Sequence, residues 1–168
     1  VRKFKDGLGG YRLWLDEEPS AQEVIADIEN PNDYEEIVFC GFGEPLMRLE
    51  VLKEVAEWLK DNYPQLPLRI NTNGLANLVY DRNILVELEG LIDAVSVSLN
   101  ASNAQQYQEV SQSQFGQESF GAVIDFIKEA KEYISNVQVS VVDYPGVDVE
   151  ECKKLAHKLE IKLRVRPF

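Results

Sequence analysis

The chain has 168 residues, 45% of them apolar and 10% aromatic, with a net charge of −12 and a pI near 4.5. That length makes about one domain, able to bury roughly two-thirds of its unfolded surface, and the composition excludes a disordered chain. The acidity argues against general nucleic-acid binding, which needs a basic face to neutralise phosphates, and no run approaches the ~20 apolar residues of a membrane helix.

No segment of secretory-leader type is recognised ahead of the first strand-like run of this sequence, which starts at Val1 rather than Met and so leaves the natural N-terminus open. Two cysteines, Cys40 and Cys152, are too few for a disulfide framework or for a zinc or cluster site. A reducing, cytoplasmic setting is the expectation. Residues 1–18 carry no clear period and read as an irregular lead-in: Val1 to Lys5 is basic, Gly7 to Gly10 flexible, Tyr11 to Leu15 apolar and aromatic.

From there strand-like and helix-like runs alternate, the signature of a parallel α/β sheet. Ser20 and Glu23 have capping-box spacing, and Ala21, Val24, Ile25 and Ile28 share a helical face. Ile37 to Cys40 is a short strand ending at Gly41. Leu52, Val55, Ala56 and Leu59 stripe a helix closed by Pro64, and Leu68 to Thr72 is a strand ending in Asn73-Gly74. A shorter helix is placed around Asn83 to Glu89. Ala94 to Leu99 is a strand, and Ser102 to Gln105 caps the helix after it. Val123, Phe126, Ile127, Ala130 and Ile134 stripe a further helix. Val137 to Val142 is a strand, Asp148 to Glu151 opens a helix striped by Cys152, Leu155, Ala156 and Leu159, and Ile161 to Arg166 is the last strand.

Four of these strands are polar on one parity: Arg69, Asn71 and Asn73; Ser96, Ser98 and Asn100; Gln138 and Ser140; Lys162, Arg164 and Arg166. The other parity is apolar. Side chains alternate across a strand, so the apolar set faces helices while the polar set shares a face that is too costly to bury dry. Right-handed crossovers on one side of such a sheet curl it into a barrel. The expected fold is a partial, open TIM-like barrel with outer helices and a polar interior, its ligands at the carboxyl ends of the strands. A flat sheet with one wet face is the alternative.

The first of those ends reads Gly41-Phe42-Gly43-Glu44-Pro45-Leu46. It departs from the dinucleotide fingerprint, whose third glycine would stand where Leu46 does. The carboxylate of Glu44 would repel a pyrophosphate, so the turn suits a cation such as an ammonium; a plain strand–helix turn is the bland reading. Asn71 to Gly74 and Ser96 to Asn100 put hydroxyls and amides at the next two ends, suited to ribose or amino-acid recognition. Arg69, Lys162, Arg164 and Arg166 suit an anionic substrate, or else balance Glu44 and Asp143. Cys152 falls in an apolar stripe and packs, Cys40 lies at a strand end, and His157 sits among lysines on a wet helix face, so histidine chemistry has no support.

Gly41-Phe42-Gly43-Glu44-Pro45, followed by Thr72-Asn73-Gly74 and Ser98-Leu99-Asn100 at successive strand ends, resembles the radical-SAM (S-adenosylmethionine) superfamily. The likeness extends through Arg2 to Gly10, Arg69 to Asn77, Ser96 to Ala101 and Arg164 to Phe168, and is greatest to the radical-SAM proteins associated with TatD-type nucleases. The resemblance implies that Glu44, with the backbone of Phe42 and Gly43, holds the amino group of S-adenosylmethionine. Asn73 would lie near the methionine part, Ser98 and Asn100 near the ribose, and the backbone around Val142 and Val165 beside the adenine. It also implies a 4Fe–4S cluster on a Cys-x-x-x-Cys-x-x-Cys loop after a first strand. No cysteine stands between Val1 and Phe39, so the expectation is that residues 1–168 are a single core domain lacking that strand and loop. The parent protein would then be the enzyme: with a reductant it would cleave S-adenosylmethionine to a 5′-deoxyadenosyl radical that abstracts hydrogen from an unidentified substrate, while this stretch alone would be inactive. Two other readings stay open, a barrel aldolase or isomerase on a phosphorylated small molecule and a non-catalytic nucleoside-binding module.

Overall fold

The computed structural model describes residues 15–168. The strands follow chain order, β1 (Ile37–Phe39), β2 (Leu68–Thr72), β3 (Ala94–Ser98), β4 (Asn136–Asp143) and β5 (Lys162–Pro167), in a single open sheet. All four pairings are parallel, so every strand's carboxyl end lies on the same rim. The helices are α1 (Ala21–Asp27), α2 (Leu49–Asn62), α3 (Ala76–Tyr80), α4 (Ala104–Ser111), α5 (Glu118–Tyr133) and α6 (Val149–Lys158). This is the expected α/β arrangement of a partial TIM-like barrel. Of the expected lead-in, residues 1–14, and with them the likeness at Arg2 to Gly10, lie outside the described residues; residues 15–18 contain neither helix nor strand.

Sheet register explains the polar and apolar parities. Asn71 pairs with Ser96, Ser96 with Gln138, and Gln138 with Lys162; one layer up, Ser98 pairs with Ser140 and Ser140 with Arg164. Partners in a parallel register point the same way, so these polar side chains share one face. The intervening Leu68, Ile70, Val95, Val97, Val139 and Val141 are buried against Leu52, Val55, Ala56, Leu59, Val123, Phe126, Ile127 and Ala130 of the helices. Burying each large aliphatic side chain is worth about 1.5–3 kcal/mol. This one-sided core holds the strands and leaves the other face for ligands.

Local signals set most boundaries. Ser20 and Glu23 form the reciprocal capping box of α1, and Asp148 caps α6 by accepting from the Glu151 N–H. Two expectations are corrected. The short helix after β2 is α3, with only a 3-10 turn at Leu85–Glu87 inside the expected Asn83–Glu89 segment. The cap of α4 is Asn103, whose side chain accepts from the Gln106 N–H, while Ser102 donates to the Gln106 side chain instead. Asn is as good a cap as Ser, and its position nearer the helical run decides the start.

Candidate functional site

Glu44 lies at the turn after β1, where it caps the 3-10 turn Pro45–Arg48. Its Oε1 accepts the Leu46 N–H at 3.3 Å and the Thr72 hydroxyl at 2.7 Å, and its Oε2 accepts the Asn73 N–H at 2.7 Å. The carboxylate thus ties the end of β1 to the end of β2. An ionised carboxylate offers about four lone-pair directions, so one remains on Oε2. Burial raises the Glu44 pKa, opposed by the bonds from Asn73, Thr72 and Leu46. A half-desolvated anion with an unused acceptor direction is chemically suited to an ammonium donor.

The glycines beside it leave space. A Cβ on Gly43 would meet nothing within 4 Å, and one on Gly41 would meet only the Gly43 nitrogen at 3.9 Å. Packing within the described chain does not require glycine at either place, which fits a ligand approaching the backbone there. Phe42, Gly43 and Glu44 line one cavity of about 560 Å³ with Cys40, Met47 and Arg48. Gly74 is different: its φ is +76° and an added Cβ would sit 2.8 Å from Cγ1 of Val97, so the turn after β2 requires glycine.

Beyond Glu44 the rim residues spread along the arc. The Asn73 Oδ1 accepts the Leu75 N–H at 2.9 Å, and its amide nitrogen makes no hydrogen bond among the described residues. Asn100, at the end of β3, has a φ of +54°, and its Oδ1 is buried with no partner among the described residues. A buried acceptor without a donor costs about 1–3 kcal/mol, and a ligand hydroxyl would relieve it. Asn100 and Val142 line a second cavity of about 460 Å³ with Tyr144 and Phe168, whose rings meet edge to face at 4.9 Å. Ser98 opens to neither of these two cavities but to a smaller one in the concave face of the sheet. The side chain of Val165 follows the apolar parity, in register with Val141, so only its backbone adjoins this end of the sheet.

Sequence reasoning gave no individual role to Thr72, Tyr144 or Phe168, although Thr72 stands in the Thr72-Asn73-Gly74 motif. Thr72 has apolar-parity spacing and is buried, and nothing local marks its bond to a carboxylate 28 residues earlier. Tyr144 and Phe168 follow strand ends that were noted, and their aromaticity was the available signal. Arg69 balances neither Glu44 nor Asp143: its guanidinium holds Glu36 at 2.7 Å and Asn71 at 2.6 Å.

The cysteines do not converge. Cys40 is exposed at the β1 end, whereas Cys152 is buried in α6, its thiol pushed up to about 11 chiefly by burial. Among the described residues no group of three His, Cys, Asp or Glu side chains could hold a metal ion. An iron–sulfur cluster therefore does not fit the described residues of this stretch. No helix among the described residues is long and apolar enough to cross a membrane.

The profile of the Radical SAM superfamily matches residues 7–159. An uncharacterized protein of Methanocaldococcus jannaschii is 30% identical over 133 residues, covering 77% of this chain and 42% of that protein. A probable dual-specificity RNA methyltransferase RlmN of Chlorobium phaeobacteroides is 36% identical over 77 residues, covering 43% of this chain and 21% of that protein. The chain thus spans less than half the length of either curated relative.

Proposed function

This chain belongs to the radical SAM superfamily, and on that premise we propose that residues 1–168 are a core domain that positions S-adenosylmethionine in a radical enzyme. Within the superfamily the reading places it with the TatD-nuclease-associated proteins, in the cytoplasm, with a reductant and an unidentified substrate as partners. The observation that carries it is Glu44: a half-desolvated carboxylate with one acceptor direction left among the described residues, beside glycines whose open side those residues do not fill.

In this reading Glu44 Oε2 and the backbone of Phe42 and Gly43 hold the ammonium of the methionine end. Asn73 contributes its amide beside them. The unpartnered Oδ1 of Asn100 and the hydroxyl of Ser98 receive ribose hydroxyls, and Val142 and the backbone at Val165 flank the adenine. Bound S-adenosylmethionine, reduced at a 4Fe–4S cluster held outside this stretch, would supply the 5′-deoxyadenosyl radical for hydrogen abstraction. What these residues themselves do is bind, orient and exclude water.

Calorimetry with S-adenosylhomocysteine tests the reading, because that ligand has the same amino-acid and nucleoside ends. Binding that weakens about ten-fold or more in Glu44→Gln is expected, since the loss is a charge-assisted contact. Equal affinity in both proteins would remove Glu44 from the site.

A further inference from the structure

Below the rim, Arg69, Asn71, Ser96, Ser98, Ser140, Arg164 and Arg166 enclose a cavity of about 80 Å³ in the concave face. Ser96 and Ser140 are 7% and 4% exposed, yet neither hydroxyl has a hydrogen-bond partner among the described residues. Both side chains line the cavity, where their hydroxyls are available to a ligand's oxygens. Arg164 and Arg166 stand at its edge and form no ion pair among the described residues, while Arg69 is already neutralised by Glu36 and serves as a wall. Lys162, two residues earlier on the same parity, likewise forms no ion pair among the described residues. In a chain of net charge −12, three cations on one face of one strand with no ion-pair partner among the described residues are a local reversal of sign.

We infer that this cavity is an oxyanion subsite, in which the guanidiniums of Arg164 and Arg166 and the hydroxyls of Ser98 and Ser140 hold a carboxylate or phosphate of the substrate. Guanidinium forks match both oxyanions, and the volume equals two or three waters at about 30 Å³ each. The register places Ser98, Ser140 and Arg164 in one continuous line across three strands, one layer beneath Asn100 and Val142. The inference deepens the function proposed above, taking from it only that substrate enters the concave face under the nucleoside.

The test is NMR titration of the protein with inorganic phosphate and, separately, with acetate, at ionic strength held constant with sodium chloride. Saturable shifts of the Ser98, Ser140 and Arg164 amides are expected, and the tighter-binding anion identifies the source of the oxyanion. Arg164→Gln and Arg166→Gln should each weaken binding about ten-fold, with melting temperature unchanged because both side chains are exposed on β5. Lys158→Gln, the same charge change on the outer side of α6, should leave binding intact. Shifts that never saturate, or an equal loss in Lys158→Gln, would reduce the patch to general electrostatics and overturn the subsite. A fall in melting temperature without weaker binding would assign the guanidiniums to packing and overturn it as well. S-adenosylhomocysteine, added in a parallel titration, should shift Asn73 and Asn100 in the Arg164 variant too. If it fails to bind while phosphate binds, the cofactor reading alone falls; the converse removes the oxyanion subsite alone.

Discussion

The backbone N–H of Asn73 donates to Oε2 of Glu44 at 2.7 Å, and the neighbouring Thr72 hydroxyl donates to Oε1 at the same distance. Two loops that leave different strands are thereby locked together by one side chain. The Thr72 Oγ1 also accepts the Gly74 N–H at 3.1 Å, so the hydroxyl joins the carboxylate to the tight turn. Glu44 is a strut between β1 and β2, and in the proposed function it is also the group that receives the ammonium.

Removing the Thr72 hydroxyl separates those roles. Thr72→Val keeps the shape and β-branching but leaves Glu44 with one donor fewer and the Gly74 N–H without its acceptor. Loss of about 1–3 kcal/mol of unfolding free energy is expected in urea. S-adenosylhomocysteine should also bind more weakly, while Thr72→Ser retains both properties. If the valine variant binds as wild type, the strut has no bearing on the site.

Glu44 also gives stability a pH dependence of known sign. Burial outweighs its three donors, so its carboxyl titrates above its ordinary range in the folded protein. A group whose pKa is higher folded than unfolded binds its proton more tightly when folded. Its contribution is therefore complete below the ordinary carboxyl value and is lost as pH rises through the raised folded value. Unfolding free energies measured from about pH 4 upward, taken as wild type minus Glu44→Gln, should fall across that window and then level off. A difference that stays flat, or climbs, would contradict the raised value. An ammonium bound at Oε2 opposes the shift, so saturating S-adenosylhomocysteine should flatten the curve.

Much of the frame was legible because parallel strands repeat a period of two and their connecting helices a period near 3.6. The polar parity from Arg69 to Arg166 located the concave face before any contact was known. Helix α3 escaped because five residues cannot express a helical period; its surroundings are set by Asn77, which accepts the Ile84 N–H and donates to Glu129, 52 residues away. Asn73-Gly74 was recognisable as a turn, but the close approach of Val97 that forces glycine there is a tertiary fact. The Glu44 motif was visible as chemistry, whereas its bond to Thr72 was not, since nothing in either local sequence names the other. Ser140 appeared only as one polar residue among several, and its place on the cavity wall with Arg164 is a tertiary fact.

The cysteines supply the last prediction. Cys152 is fully buried, and its thiol, pushed up to about 11 by burial and then by Asp148 and Glu151, is almost wholly protonated near neutrality. Thiolate is the reactive form, so a disulfide reagent at about pH 8 should modify Cys40 alone and reach Cys152 only after unfolding. A cubane cluster of the radical-SAM type needs three thiolates converging on one face, and clusters are ligated by thiolate rather than thiol. Cys40 at the end of β1 and Cys152 inside α6 cannot converge without dismantling the core that holds α6. Anaerobic reconstitution of the 168-residue polypeptide with iron and sulfide should therefore give no stoichiometric four-iron centre, by iron content and by absorbance. It should give no reductive cleavage of S-adenosylmethionine either, although under the proposed function S-adenosylhomocysteine should still bind. A brown preparation with four irons per chain would mean that the ligands lie among residues not assigned here, and would overturn the conclusion that the cluster is held outside this stretch.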